Sequence, residues 1–263
     1  MIGLKAAGPI EQFEIVPIVR IAFGEIDLSF TNSSLWMLIG VAAIVAFFLA
    51  ATRSRALVPG RVQSMGEVLH EFVSDLVRDT IGPEGRKFFP YVFTLFVFIL
   101  VANFFGLIPT LPGAPHELHT FTTTSHIVVT FALAMVTMTI VVVYGVWKNG
   151  WKFFKLFAPS GVPLWLLPLL FVIELVSFLS RPFSLAIRLF ANMFAGHIIL
   201  KLFAGFVASM LAAGGFIAVL GVGPFLGAIA VTALELLIAG LQAYVFAILT
   251  CIYLSDAAHA ADH

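Results

Sequence analysis

The stretch RPFSLAIRLFANMFAGHIIL, from Arg181 to Leu200, sets a guanidinium, Arg188, in the middle of an otherwise apolar run. A charge at the centre of a membrane helix costs about 2.5–3.5 kcal/mol on insertion scales, so Arg188 requires an anionic partner and points to function. The chain is therefore read first as a membrane protein.

Composition agrees. Of 263 residues 61% are hydrophobic and 11% charged, with a formal net charge of zero and a mean hydropathy of +1.08, against about 25% charged residues in a soluble domain. The lysines and arginines form no block long enough for nucleic-acid binding. The single cysteine, Cys251, excludes an internal disulfide, and its apolar setting fits a buried structural thiol. No GxxxxGK[ST] run offers a nucleotide site, and no cofactor is expected.

Outward from the opening stretch, the apolar segments divide the chain. Residues 1–33 carry Glu11, Glu14, Glu25 and Asp27 and lack the basic-then-apolar layout of a secretory signal. Leu35 to Ala51 reads as a first span near the short limit, which Ser33 and Ser34 would extend. Arg53, Arg55 and Arg61 follow it, so the positive-inside bias puts the N-terminal tail outside and these arginines in the cytoplasm. Val62, Met65, Leu69, Phe72 and Leu76 recur at three- and four-residue spacing, with Glu67, Glu71, Asp75 and Asp79 on other faces. This spacing predicts an amphipathic helix, too polar to span, lying on the membrane or docked on a partner and ended by Gly82 and Pro83.

Phe88 to Leu107 and Phe121 to Trp147 are the second and third spans. The loop between them lacks lysine and arginine and belongs outside, whereas Lys148, Lys152 and Lys155 among Trp147 and Trp151 mark the cytoplasmic side. From Leu164 to Leu254 the chain is apolar except for the glycine-rich break at residues 212–224. Two helices of about 40 and 30 residues would exceed a perpendicular crossing, so a long tilted hairpin is expected. The predicted fold is an all-α integral membrane protein with five crossings and one amphipathic surface helix. Its parts are an external segment (1–33), peripheral spans and the amphipathic helix (34–160), the hairpin (161–256) and a cytoplasmic tail (257–263), all in one membrane domain.

At about 100° per residue, Glu174, Arg181, Ser184, Arg188 and Asn192 fall on one stripe. Glu174 lies about 21 Å along the axis from Arg188, too far to neutralise it. Two anions remain open: Glu235 on the second hairpin helix, where Gln242 shares its face, or a carboxylate on another chain. His197 falls opposite Arg188 on an ideal helix. Either a backbone carbonyl satisfies it, or it joins Glu235 in a proton path, since histidine and glutamate exchange protons at accessible pH. Arg181, beside Pro182, reads as an anchor, and Ala191, Ala195 and Gly196 permit close helix approach.

These residues carry a resemblance. RPFSLAIRLFANMFAGH, followed by LELLIAGLQAYVFAILTCIYL, resembles subunit a of F-type ATP synthases, with ANFFGLIP at residues 102–109 resembling the end of an earlier span. The likeness covers nearly the whole chain and is most specific in its last third. The His197 and Glu235 arrangement is similar to the alphaproteobacterial and mitochondrial branch. The resemblance implies a stator subunit, not an enzyme on its own, that holds two offset proton half-channels against a rotating c-ring. It implies peripheral-stalk b subunits and the rest of the synthase as partners, and a bacterial inner membrane, or alternatively a mitochondrial one, as location. By the same resemblance Arg188 separates the half-channels and meets the ring carboxylate. His197 and Glu235 line the path from outside, Glu174 serves the exit, and Asn192 and Gln242 sit at the ring interface.

Two rivals are weighed. A secondary transporter binding its substrate at Arg188 explains the charge but not the absence of repeated halves. A metal site of His116, Glu117, His119 and His126 lacks an HExxH pattern and falls in an external loop. There the reading is a solvated loop capped by FTTTSH before the third span, where Thr and Ser favour helix initiation.

Overall fold

A computed structural model of the chain describes residues 17–20, 22–23, 26–27, 29–53, 56–108, 122–151, 153 and 165–259. His116, Glu117, His119, Lys152, Lys155, Glu11, Glu14, Glu25 and Arg55, and the tail beyond residue 259, lie outside the described residues.

Seven α-helices run through the described residues: α1 Asn32–Arg53, α2 Arg61–Ile81, α3 Phe89–Gly106, α4 Ile127–Asn149, α5 Leu167–Ala213, α6 Gly215–Leu220 and α7 Val222–Ala258. Five segments are long and apolar enough to cross a membrane: α1, α3, α4, α5 and the stretch Gly215–Ala258. This is the multi-pass, all-α architecture expected from hydropathy. Before α1 lie two short antiparallel pairings, β1 Pro17–Val19 with β4 Phe30–Thr31 and β2 Ala22–Phe23 with β3 Ile26–Asp27. The alternation there is too brief to be read as strand from sequence.

In hydrocarbon every polar group must find an internal partner. The spans achieve this locally. Thr94, Thr139, Ser209, Thr232 and Thr250 each donate a side-chain hydrogen bond at 2.8 Å to the carbonyl four residues back, so a hydroxyl on a span can face an apolar environment with its proton satisfied. Pro182 inside α5 withdraws one backbone donor from that ladder.

The chain forms two compact units. The first comprises Met1–Ala42, Leu100–His126 and Leu189–Leu241. In it the end of α3 packs on Trp36 of α1, whose ring meets Phe105 edge-on at 6.3 Å, and Phe203 of α5 crosses Gly227 of α7 so closely that a Cβ there would stand 2.8 Å from the ring.

The second unit comprises Ala43–Ile99, Ile127–Arg188 and Gln242–His263. Here α2 docks through Gly66, Val73, Val77 and Ile81, all buried, with Gly66 seated on Ala51 of α1. The apolar stripe read from sequence is a second face: Val62, Met65 and Phe72 are exposed. The helix therefore packs inward by one apolar edge and turns another outward, as an interfacial helix does. At the ends of α3 and α4, Glu84 accepts from Lys148 at 2.5 Å, and Lys87 donates to Tyr144 at 2.5 Å. The Lys148 hydrogen bond holds the Glu84 carboxyl below the usual carboxylate range. Asn149 donates to the carbonyl of Ala257 at 2.7 Å, tying α4 to the end of α7.

Candidate functional site

In the first unit α5 and α7 run side by side, and their approach brings His197 to Glu235. Nδ1 of His197 lies 3.6 Å from Oε1 of Glu235, with both side chains enclosed. Small residues permit this: a Cβ at Gly196 would stand 2.9 Å from Cδ of Glu235 and overlap its carboxylate. Both Glu235 oxygens are buried without a hydrogen-bond partner among the described residues, a costly state for a carboxylate and a reason for its proximity to a protonatable ring.

The ring has further neighbours. Nδ1 is 2.9 Å from the carbonyl of Met193, one turn back, and Nε2 is 2.9 Å from both the carbonyl of Gly106 and the hydroxyl of Thr122. Behind this shell Asn103 donates to the carbonyl of Ala239 at 3.1 Å and accepts from Thr124 at 2.8 Å, joining α3, α7 and the 3-10 turn Thr123–Ser125. His197 thus has backbone acceptors and also faces Glu235.

The loop read as solvated lies outside the described residues, but at its FTTTSH cap Thr122, Thr123, Thr124 and Ser125 are all buried. The reason is their bonding: Thr122 and Thr124 satisfy His197 and Asn103, and Ser125 closes on the carbonyl of Thr122 at 2.6 Å. Among the described residues no cluster of three metal-ligating side chains occurs.

In the second unit Arg181 pairs with Asp256 at 3.1 Å and lies over the rings of Tyr253 at 4.7 Å and Phe178 at 5.4 Å. This joins early α5 to late α7 and gives the anchoring residue its anion. Arg188, two turns on, is different: its side chain is exposed, and it forms no ion pair among the described residues. Glu174 is half-buried and likewise forms no ion pair there, while Gln242 is buried in its unit. Asn192, in the first unit, is half-buried.

The model of the family described as ATP synthase A chain matches residues 34–255. The chain belongs to that family. Three relatives of this family, each described as ATP synthase subunit a, match along nearly their whole length. That of Chelativorans sp. (strain BNC1) is 56% identical, covering 97% of this chain and 98% of its own. That of Hyphomonas neptunium is 53% identical, covering 98% of each, and that of Maricaulis maris 56%, covering 95% and 97%. The alphaproteobacterial likeness read from His197 and Glu235 agrees with these sources.

For this member of the ATP synthase A chain family, Thr122, Gly106 and Asn103 are the site residues that sequence reasoning passed over. Asn103 left a signal, an amide inside an apolar span, since such groups need a buried partner. Thr122 left none, because a threonine before a helix reads first as a cap.

Proposed function

We propose that this chain is the proton-channel stator subunit of an F-type ATP synthase in a bacterial inner membrane. It presents two offset half-channels to the carboxylates of a rotating c-ring and is held in place by peripheral-stalk b subunits. The observation that carries the reading is Arg188: a permanent cation, exposed on a 47-residue apolar helix, without an ion pair among the described residues, in a chain of this family.

The physics follows. A ring carboxylate about 4 Å from Arg188 gains about 4 kcal/mol at an effective dielectric near 20, enough to favour its ionised form. Desolvation opposes a tight dry contact, so each ring carboxylate deprotonates beside Arg188 and moves on. Because guanidinium does not release its proton, Arg188 also blocks a direct path between the half-channels. His197 and Glu235 take up protons from the outside, and Glu174 serves release to the cytoplasm. In this assignment Asn192 occupies a ring-facing polar position, whereas Gln242, read from the resemblance as ring-facing, is buried within its unit. Each proton crossing 100 mV supplies about 2.3 kcal/mol to rotation.

The test is ATP-driven proton pumping by the reconstituted whole complex carrying Arg188→Ala, with assembly and passive proton flux measured on the same vesicles. Loss of pumping in an assembled complex is expected. Normal pumping would return the secondary-transporter reading to first place.

A further inference from the structure

The surroundings of His197 hold an asymmetry of hydrogen-bonding chemistry. Three of its neighbours, the carbonyls of Met193 and Gly106 and an ionised Glu235 carboxylate, only accept. An imidazolium suits them, since both its nitrogens donate. A neutral ring does not: whichever nitrogen has lost its proton turns a lone pair toward a carbonyl oxygen. The hydroxyl of Thr122, 2.9 Å from Nε2, is a neighbour that both donates and accepts.

We propose that Thr122 is a positioning residue for proton exchange at His197. With the ring cationic, Nε2–H donates to the Gly106 carbonyl and to the Thr122 oxygen. When the Nε2 proton leaves, the hydroxyl turns and donates to the bare nitrogen, while Nδ1–H stays on the Met193 carbonyl. The ring thus passes between its charged and neutral forms without rotating and with both nitrogens bonded in each. The one covalent change is that the Nε2–H bond breaks and its proton forms an O–H bond on a water molecule of the outward-facing path, the reverse transfer charging the ring again.

The local packing is shaped for this contact. Thr122 is buried at the head of the 3-10 turn, and Gly106 closes on it: a Cβ at Gly106 would lie 2.8 Å from Cβ of Thr122. A glycine at the end of α3 therefore lets its own carbonyl and the Thr122 hydroxyl reach one ring nitrogen together. Glu235 from α7 is an ionisable group facing the ring; along the chain, Lys201 follows His197 by one turn of α5 and His126 directly follows the 3-10 turn.

This inference rests on the proposed role of His197 in proton uptake, and the experiment separates the two. Proton flux through reconstituted whole complexes is measured against pH for the native chain, Thr122→Val, Thr122→Ser and His197→Ala. Losing one neutral hydrogen bond from the deprotonated ring is expected to move the limb of the profile that depends on His197 toward alkaline pH by about half a unit in Thr122→Val. Thr122→Ser keeps the hydroxyl and is expected to overlay the native curve. In parallel, 15N NMR of the native complex should show the neutral His197 ring protonated at Nδ1. An unshifted Thr122→Val profile, a Thr122→Ser profile displaced like that of valine, or a neutral ring protonated only at Nε2 would each overturn the proposal while leaving the channel reading standing. Flux unchanged in His197→Ala would instead defeat the channel reading itself. If Thr122→Val does not assemble, the NMR tautomer and the serine profile decide.

Discussion

A methyl group on Gly196 would overlap the Glu235 carboxylate, so the smallest possible substitution there acts on the His197–Glu235 pair without altering any charge. Overpacking of this kind costs about 1–3 kcal/mol. Gly196→Ala is expected to slow proton-driven ATP synthesis several-fold in complexes that still assemble. Gly205 makes the control: it lies on the same helix and a Cβ there meets nothing within 4 Å, so Gly205→Ala should leave the rate unchanged. If both variants behave alike, steric pressure on Glu235 is not the cause. His197 and Glu235 were legible in the sequence because ionisable groups stand out against apolar helices. Thr122 and Gly106 were not, since each has a common local use, cap and helix end, and their joint use depends on chain returning from 75 and 91 residues away to the same ring.

Between elements, the polar contacts do what apolar packing cannot do in lipid, where side chains and acyl chains are equally greasy. Asn103 is completely enclosed and joins α3 to the α7 backbone and to Thr124. Asn103→Ala leaves a buried hydroxyl and a carbonyl without that partner, at about 1–3 kcal/mol. A lower melting temperature of the purified complex, with slowed proton uptake, is expected; an unchanged melting temperature would show that the amide is dispensable. The pair at the ends of α3 and α4 gives a pH signature. Because Lys148 depresses Glu84, the contact contributes fully above the unfolded carboxylate value of about 4.3 and fades as pH falls through the lower folded value. Melting temperature measured from pH 7 down to pH 3.5 should fall more steeply in the native protein than in Glu84→Gln, the two converging at the acid end. The existence of the spans was readable, because continuous apolar runs of span length have few other interpretations, but α4 begins at Ile127 rather than Phe121, and α5 and α7 run 47 and 37 residues rather than about 40 and 30, with α6 helical inside the glycine-rich break. The inward face of α2 was not readable. Its stripe of Val62, Met65 and Phe72 is as periodic as the buried Val73, Val77 and Ile81, and periodicity alone does not say which of two apolar edges meets protein.

Among the described residues, the ionisable groups on α5 divide into those that meet an opposite group within the chain and those that do not. Arg181 has Asp256, and His197 has Glu235, whereas Arg188 has no ion pair among the described residues. The proposed function turns this division into separable phenotypes. His197→Ala and Glu235→Ala should slow proton uptake while coupling survives, whereas Arg188→Ala should abolish coupled transport and raise passive flux. Passive and ATP-driven proton fluxes, recorded side by side on the same proteoliposomes, distinguish the two classes. Equal passive leak in all three would remove the special place given to Arg188. Burial of Cys251 has a practical side. The chain's one sulfhydryl is completely enclosed, so thiol-reactive fluorophores and spin labels have no native target at the surface. A cysteine introduced at an exposed position such as Val68 would carry the only dye in this subunit, ready for single-molecule distance work on an otherwise unaltered chain.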